Sequence, residues 1–454
     1  MLTELSLTNF KSWKQIEKMR LAPITGLFGS NSSGKTSVLQ LLLMLKQTVE
    51  SPDRALTFQF GDDRSLTNLG SFRDTVYSHE KPGTLQFALS WHLLRPLKIS
   101  DPTERKATLF EGKDMDFEAA VVENGAGRLI VDRLSYGFAG QRFTMKRKGE
   151  GEAKYELQAE RGQFRFVRTQ GRPWDIPPPV KCYGFPDQAK AYFQNAGFLA
   201  DLQLAFEELF SRTYYLGPLR EYPQRQYTWA GAEPADMGRR GERAVDALLA
   251  ARERGAMISR GKGKPKMSLE EYVAYWLKEL GLIHSFSVEA IAKESNLYRV
   301  RVQKTPSAAK VLITDVGFGV SQILPVLVLC YYVPRGSTIL LEQPEIHLHP
   351  SVQAGLADVF IDAIKTRQVQ IIFESHSEHL LRRLQRRIAE QQLAPDTASL
   401  FFCEMADGGS SLKKLDVNMF GEIGNWPKDF FGDEFGEMAA MTKAAMERKK
   451  GRKA

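Results

Sequence analysis

The sequence predicts a mixed α/β fold: a largely parallel sheet covered by helices, carrying an antiparallel β subdomain and a helical insertion. Three features of the 454 residues point there. Beyond Tyr298, apolar strand-like runs alternate with segments of helical spacing. Near the N-terminus a short apolar run ends in glycine and opens into a helix with almost no polar face. Between Leu56 and Pro179, short alternating segments are broken by Gly, Pro and charged clusters. Strand–helix alternation places helices over parallel strands, whereas closely spaced alternating strands pair antiparallel.

Taken in order, Leu2 to Leu7 alternates as a strand, Ile24 to Phe28 is a buried strand, and Ser37 to Val49 is a buried helix. Leu85 to Leu89 and Gln163 to Val167 represent the antiparallel lobe. Apolar spacing returns to 3.6 from Ala189 to Phe210 and from Glu242 to Leu280, with an exposed loop expected at Gly261 to Lys266. The remaining elements alternate: Tyr298 to Val302, Gly319 to Tyr332, Thr338 to Glu342, Val352 to Lys365, Gln370 to Glu374 and Glu378 to Glu390. The expected units are 1–217 (N-terminal lobe), 218–296 (helical insertion) and 297–454 (C-terminal lobe).

With 43% hydrophobic and 26% charged residues, the chain can bury a large core. The longest apolar stretches, Leu39 to Leu45 and Ile323 to Val333, fall short of the roughly 20 residues of a membrane-spanning helix, so no membrane association is expected. Met1 to Ser6 lacks the pattern of a secretory signal, and Cys182, Cys330 and Cys403 are few and widely spaced, which points to the cytoplasm. A net charge of +8 is compatible with DNA contact without demanding it. Lys443 to Lys453 reads as a solvated, frayed end. No repeat or coiled-coil heptad run is present.

Gly29-Ser30-Asn31-Ser32-Ser33-Gly34-Lys35-Thr36 fits the P-loop spacing between a strand and a helix. Its glycines let backbone N–H groups wrap phosphates, Lys35 supplies positive charge, and the Thr36 hydroxyl suits Mg²⁺. Gly29, Asn31, Gly34, Lys35, Thr36 and Ser37 are the candidate ATP contacts. Thr338 to Glu342 is an apolar strand ending in a carboxylate, the Walker B pattern, so Glu342 joins Thr36 as a candidate Mg²⁺ group. Gln343 and Glu345 follow it, where a polar side chain can orient the attacking water. Asp315 to Gln322 forms a second glycine-rich helix start able to face an anion, with Gly317, Gly319, Ser321 and Gln322 as its candidates; a plain helix cap is the other reading. His376 ends a strand within reach of a γ-phosphate. His347, His349 and His376 also allow a zinc reading, although neither nearby Cys nor zinc-type spacing supports one.

The order P-loop, glycine-rich signature, Walker B, histidine resembles the ABC-type ATPase heads of the RecF, SMC and OLD (overcoming-lysogenization-defect) group over the whole chain. In that resemblance Lys11, within Leu5 to Trp13, lies near the adenine, and Gly317 stands where the signature usually has Ser. Pro344 to Pro350 and Glu374 to Ser377 look like the OLD branch. The place of the second acid, the one that activates water, is taken here by Gln343, with Glu345 two residues on. The resemblance implies a head-to-head dimer or higher homo-oligomer, in which one copy's signature closes over ATP held by the other. Tyr215 to Arg220 and Gly424 to Gly432 are similar to the ATPase subunit of Septu-type antiviral defence pairs, although turn chemistry and core anchoring also account for both stretches.

OLD proteins carry a nuclease domain after the ATPase. About 75 residues follow His376 here, short of an ordinary catalytic domain, and the acids Asp407 and Asp416 are isolated. The expectation is therefore an ATPase, slow because of Gln343, with no nuclease site of its own, acting as a sensor or regulator of a separate nuclease effector. A RecF-like repair ATPase and an ATP-bound oligomeric scaffold with little turnover are the alternatives.

Overall fold

The computed structural model describes residues 1–451 except 80–82, 101–107, 125, 150–153, 172–174, 262, 294, 407, 428–429 and 431–433. Asp407 and part of the 261–266 loop thus lie outside the described residues. Strands β1 (Leu2–Phe10), β2 (Trp13–Arg20) and β3 (Ile24–Gly29) lead through the glycine-rich loop into α1 (Lys35–Glu50) and short α2 (Phe72–Thr75). There follow β4 (Thr84–Ser100), β5 (Thr108–Glu123), β6 (Leu129–Phe138), β7 (Gln141–Arg147), β8 (Tyr155–Arg161), α3 (Asp187–Tyr192), α4 (Leu199–Ser211) and β9 (Thr213–Leu216). The middle holds β10 (Tyr227–Thr228), α5 (Ala244–Glu253), β11 (Met257–Ile258), β12 (Met267–Ser268), α6 (Leu269–Glu279), β13 (Ser285–Ala290), β14 (Leu297–Gln303) and β15 (Val311–Leu312). Last come α7 (Phe318–Tyr332), β16 (Thr338–Glu342), α8 (Pro350–Arg367), β17 (Gln370–Glu374), α9 (Glu378–Ala389), β18 (Ala398–Ala406), β19 (Gly409–Lys414) and α10 (Glu434–Gly451).

The central sheet runs β19-β18-β3-β17-β16-β9, with every pairing parallel except β18 with β19. β3, β16 and β17 are buried along their whole length, because helices and a second layer cover both faces. That is why their sequences are unbroken apolar runs rather than alternating ones. The second sheet, β2-β1-β4-β5-β6-β7-β8, is antiparallel throughout. α1 and α4 fill the space beneath it in one apolar cluster, and α5 to α9 pack in a second cluster around β16 and β17.

Three elements differ from expectation. Residues 163–167 form no strand: Phe164 packs on Phe198 and Phe143 at 5.3 and 5.6 Å, and Phe166 on Phe193 at 5.2 Å. Their alternation anchors an irregular segment into an aromatic cluster. β14 does not join the parallel sheet; it pairs antiparallel with β10, β13 and β15. Its buried Val300 and Val302 alternate with half-buried Arg299 and Arg301, the signature of a strand with one solvated face. The 218–296 stretch, expected to be a helical insertion, holds α5 and α6 together with β10 to β13, of which β10 and β13 belong to this small antiparallel sheet.

Candidate functional site

β3 ends at Gly29 with φ 138, and a Cβ there would lie 2.0 Å from the Cys403 carbonyl oxygen on β18. Only glycine fits so close to a neighbouring strand, and this fixes where the loop leaves the sheet. Gly34 has φ 87 and is tied by the Trp13 indole, whose N–H donates to its carbonyl at 2.9 Å. Lys35 is 4% exposed and curls back over the loop, donating to the Ser30 and Gly29 carbonyls at 2.6 and 3.1 Å. Burial pushes its pKa down, with Glu374 opposing. Asn31 is exposed and Ser37 half-buried, its N–H donating to the Gly34 carbonyl at 3.1 Å.

Beside the loop opens a cavity of about 380 Å³ whose further walls are Lys11, Ser12, Asp74, Val76, Ser78 and His79. Lys11 is half-buried with φ 53, and its N–H donates to the Thr75 carbonyl at 2.7 Å. Burial lowers its pKa, and Asp74 acts against that. The cavity thus joins a phosphate-type cradle to a pocket lined by a second lysine, Lys11, and by Asp74.

Three buried carboxylates stand at the C-terminal edge of the sheet. Glu342 and Glu374 are register neighbours ending β16 and β17. The Tyr215 hydroxyl donates to Glu342 Oε1 at 2.8 Å, and Arg220 Nη2 to its carbonyl at 3.4 Å. Burial, then repulsion from Glu374, raises the Glu342 pKa to about 7. The Thr36 hydroxyl donates to Glu374 Oε2 at 2.6 Å. Glu345 Oε1 accepts the His376 N–H at 2.7 Å, while its Oε2 is buried without a partner. Burial raises the pKa of both Glu345 and Glu374. Arg220, 6% exposed, also keeps Nε and Nη1 unpartnered. This polar knot is incompletely satisfied, as a site awaiting a charged ligand would be.

Gln343 is half-buried with φ 42, a conformation costly for a side-chain-bearing residue, and its N–H donates to the Glu374 carbonyl at 3.1 Å. The His376 pKa is lowered by desolvation and by Lys35, with a hydrogen bond to the Gly29 backbone opposing. His349 instead caps α8, its ring accepting the Ser351 N–H at 3.3 Å, and His347 packs against Phe318 at 5.4 Å. The three histidines thus have separate jobs. Among the described residues no group of three or more His, Cys, Asp or Glu is placed to hold a metal. Mg²⁺ needs no such cage, since it binds through one or two carboxylates, phosphates and water.

The second glycine-rich start lies apart from the cavity, and none of 317–322 is on its wall. Gly317 and Phe318 are exposed at the first turn of α7, and Gly319 is half-buried near Leu282 and Leu348. Ser321 donates to the Phe318 carbonyl at 2.8 Å, and Gln322 is buried with Nε2 unpartnered. These two side chains face inward. Glu374 is a site residue to which the sequence assigned no role; its signal was an acid ending a second apolar strand. Tyr215 belongs to a stretch read as an anchor, and its hydroxyl also reaches the site. The 424–432 stretch does anchor: Phe430 packs on Phe402 and Phe28 at 4.7 and 6.3 Å. Lys428, Asp429, Phe431 and Gly432 lie outside the described residues.

The site thus sits on a largely parallel sheet whose P-loop strand is followed laterally by two acid-tipped strands, in a mixed α/β fold with an antiparallel subdomain. Residues 265–381 match the family described as AAA ATPase domain, a stretch that includes the second glycine-rich start, both acid-tipped strands and His376. Residues 393–441 match a family described as protein of unknown function (DUF3696). No curated protein sequence matches the chain. Among solved structures, an SMC head bound to the C-winged helix domain of ScpA is 11% identical, with 92% of this chain and 98% of that one covered and a TM-score of 0.47. The SMC head domain from Thermotoga maritima is 12% identical (92% and 99% covered, TM-score 0.42). The Smc head with an extended coiled coil, bound to the C-terminal domain of ScpA and derived from Pyrococcus furiosus, is 10% identical (92% and 96%, 0.45). No helix among the described residues is long and apolar enough to cross a membrane.

Proposed function

We propose that the chain binds and slowly hydrolyses ATP, pairs with a second copy through composite ATP sites, and regulates a separate nuclease effector in antiviral defence. The observation that carries the ATP reading is the cradle around Lys35, formed by Gly29 and Gly34 at positive φ, with the buried Glu374 carboxylate against Thr36. Lys35 would neutralise the β- and γ-phosphates, and Lys11 would face the adenine end of the cavity. Mg²⁺ supplies charge neutralisation between those phosphates when bound. The donors beside the loop, the Thr36 hydroxyl and the Glu374 carboxylate, are oxygen and fit such a hard cation. Glu345, fixed by the His376 N–H, would serve as the base for the attacking water, and the neutral amide of Gln343 can orient that water without accepting its proton.

Pairing is supported by the exposed Gly317 and Phe318 at the start of α7, free to meet another copy's phosphates. The defence role rests on the resemblance of Tyr215 to Arg220 and Gly424 to Gly432 to the Septu-type ATPase subunit, and the nuclease partner on the resemblance of Pro344 to Pro350 and Glu374 to Ser377 to the OLD branch. Gln343 favours a second reading, an ATP-held scaffold with little turnover. A RecF-like repair role has the +8 charge in its support. Steady-state phosphate release separates them. Turnover abolished by Lys35→Ala and cut at least about a hundredfold by Glu345→Gln is expected; negligible wild-type turnover with tight ATP binding establishes the scaffold instead.

A further inference from the structure

We infer that Glu374, rather than the Walker B acid Glu342, is the carboxylate that completes the magnesium shell beside Thr36. This deepens the ATP reading above and rests on it. In the sheet order β3-β17-β16, the strand ending in Glu374 is the immediate neighbour of the P-loop strand, and the strand ending in Glu342 is one further out. With strands about 4.8 Å apart, Glu342 starts that much farther from Thr36.

Side-chain contacts divide the two acids in the same direction. The Thr36 hydroxyl is spent on Glu374 Oε2 at 2.6 Å. Glu342 is turned the other way, toward β9, where the Tyr215 hydroxyl holds Oε1 at 2.8 Å. A carboxylate that holds the P-loop hydroxyl before the ion arrives is already placed to share the ion with it, and needs only to exchange the hydroxyl's hydrogen for the cation. Freeing Glu342 would break its bond to a buried tyrosine and leave that hydroxyl unpaired, which costs more than a surface rearrangement. Arg220, buried beside Glu342 with two nitrogens unpartnered, adds positive charge on that side and disfavours a second cation there. Glu342 is thus a positioning residue that holds Tyr215 and the 215–220 stretch against the sheet.

ATP binding measured by titration calorimetry, with and without magnesium, tests the assignment in wild type, Glu374→Gln and Glu342→Gln. Magnesium should tighten ATP binding in wild type and Glu342→Gln. In Glu374→Gln that gain should fall by about 10–100-fold, as for other groups that orient a metal ligand. Binding without magnesium should be unchanged or tighter in this variant, because a negative charge near the phosphates is gone; that same measurement reports folding. An undiminished magnesium gain in Glu374→Gln overturns the inference, as does an equal loss in Glu342→Gln. If Glu374→Gln fails to fold, Glu374→Asp, which keeps the charge but draws the oxygens back by one methylene, gives the same readout. Wild type that binds no ATP under either condition overturns the ATP reading itself, and the inference with it.

Discussion

Gly29 is where one atom decides the geometry of the cradle. A methyl group there meets the Cys403 carbonyl oxygen at 2.0 Å, and the backbone sits at φ 138, so strain and collision act together. Gly29→Ala is expected to cost at least about 3 kcal/mol of stability and to abolish ATP binding, checked by chemical denaturation and nucleotide titration. Stability lost without loss of binding would show that the β3–β18 contact does not shape the loop. The P-loop was legible in the sequence because its contacts are local: Lys35 bonds residues five and six positions away. Glu374 was not, because its partner Thr36 lies 338 residues away and nothing in a linear pattern reports that pairing.

Among the elements, those buried on both faces are legible almost to the residue. Thr338–Glu342 and Gln370–Glu374 match the expected strands, since an interior parallel strand must be apolar throughout. Segments with one wet face are harder, and both 163–167 and β14 depart from expectation because alternation also describes aromatic anchors and isolated ribbons. The edge of the antiparallel sheet supplies a pH test. Tyr155 on β8 donates its hydroxyl to the Val131 carbonyl of β6 at 2.7 Å, and burial raises its pKa from 10 to about 12. The folded state therefore holds this proton more tightly than the unfolded chain, so stability falls as pH rises from 10 to 12. Tyr155→Phe should cost about 1 kcal/mol at neutral pH and remove that share of the alkaline loss, read from denaturant midpoints across the range. An unchanged alkaline slope would show that the hydroxyl ionises as freely in the fold as outside it.

For the molecule as a whole, the expectation to be tested is self-association. A Cβ added at Gly317 would meet nothing within 4 Å, and one at Gly319 only Leu282 and Leu348 at 3.8 and 3.9 Å. Neither glycine is required by the monomer's own packing. Gly317→Arg should leave the thermal midpoint within a few degrees while preventing the doubling of mass that ATP with magnesium is expected to induce in light scattering. Doubling that survives the arginine would remove the signature from the interface. The sequence announced the motif but not its exposure, which depends on how α5, α6 and α8 surround α7.

The central sheet collects its strands from both ends of the chain: β3 is threaded between β17 and β18, whose residues follow it by more than three hundred positions. During synthesis on the ribosome, the phosphate loop emerges early and must wait, its flanks open to solvent, until nearly the whole chain has been made. On the proposed ATP reading, a nascent chain would be blind to nucleotide for most of its translation, because the strand bearing Cys403, which closes the last side of the loop, is made late.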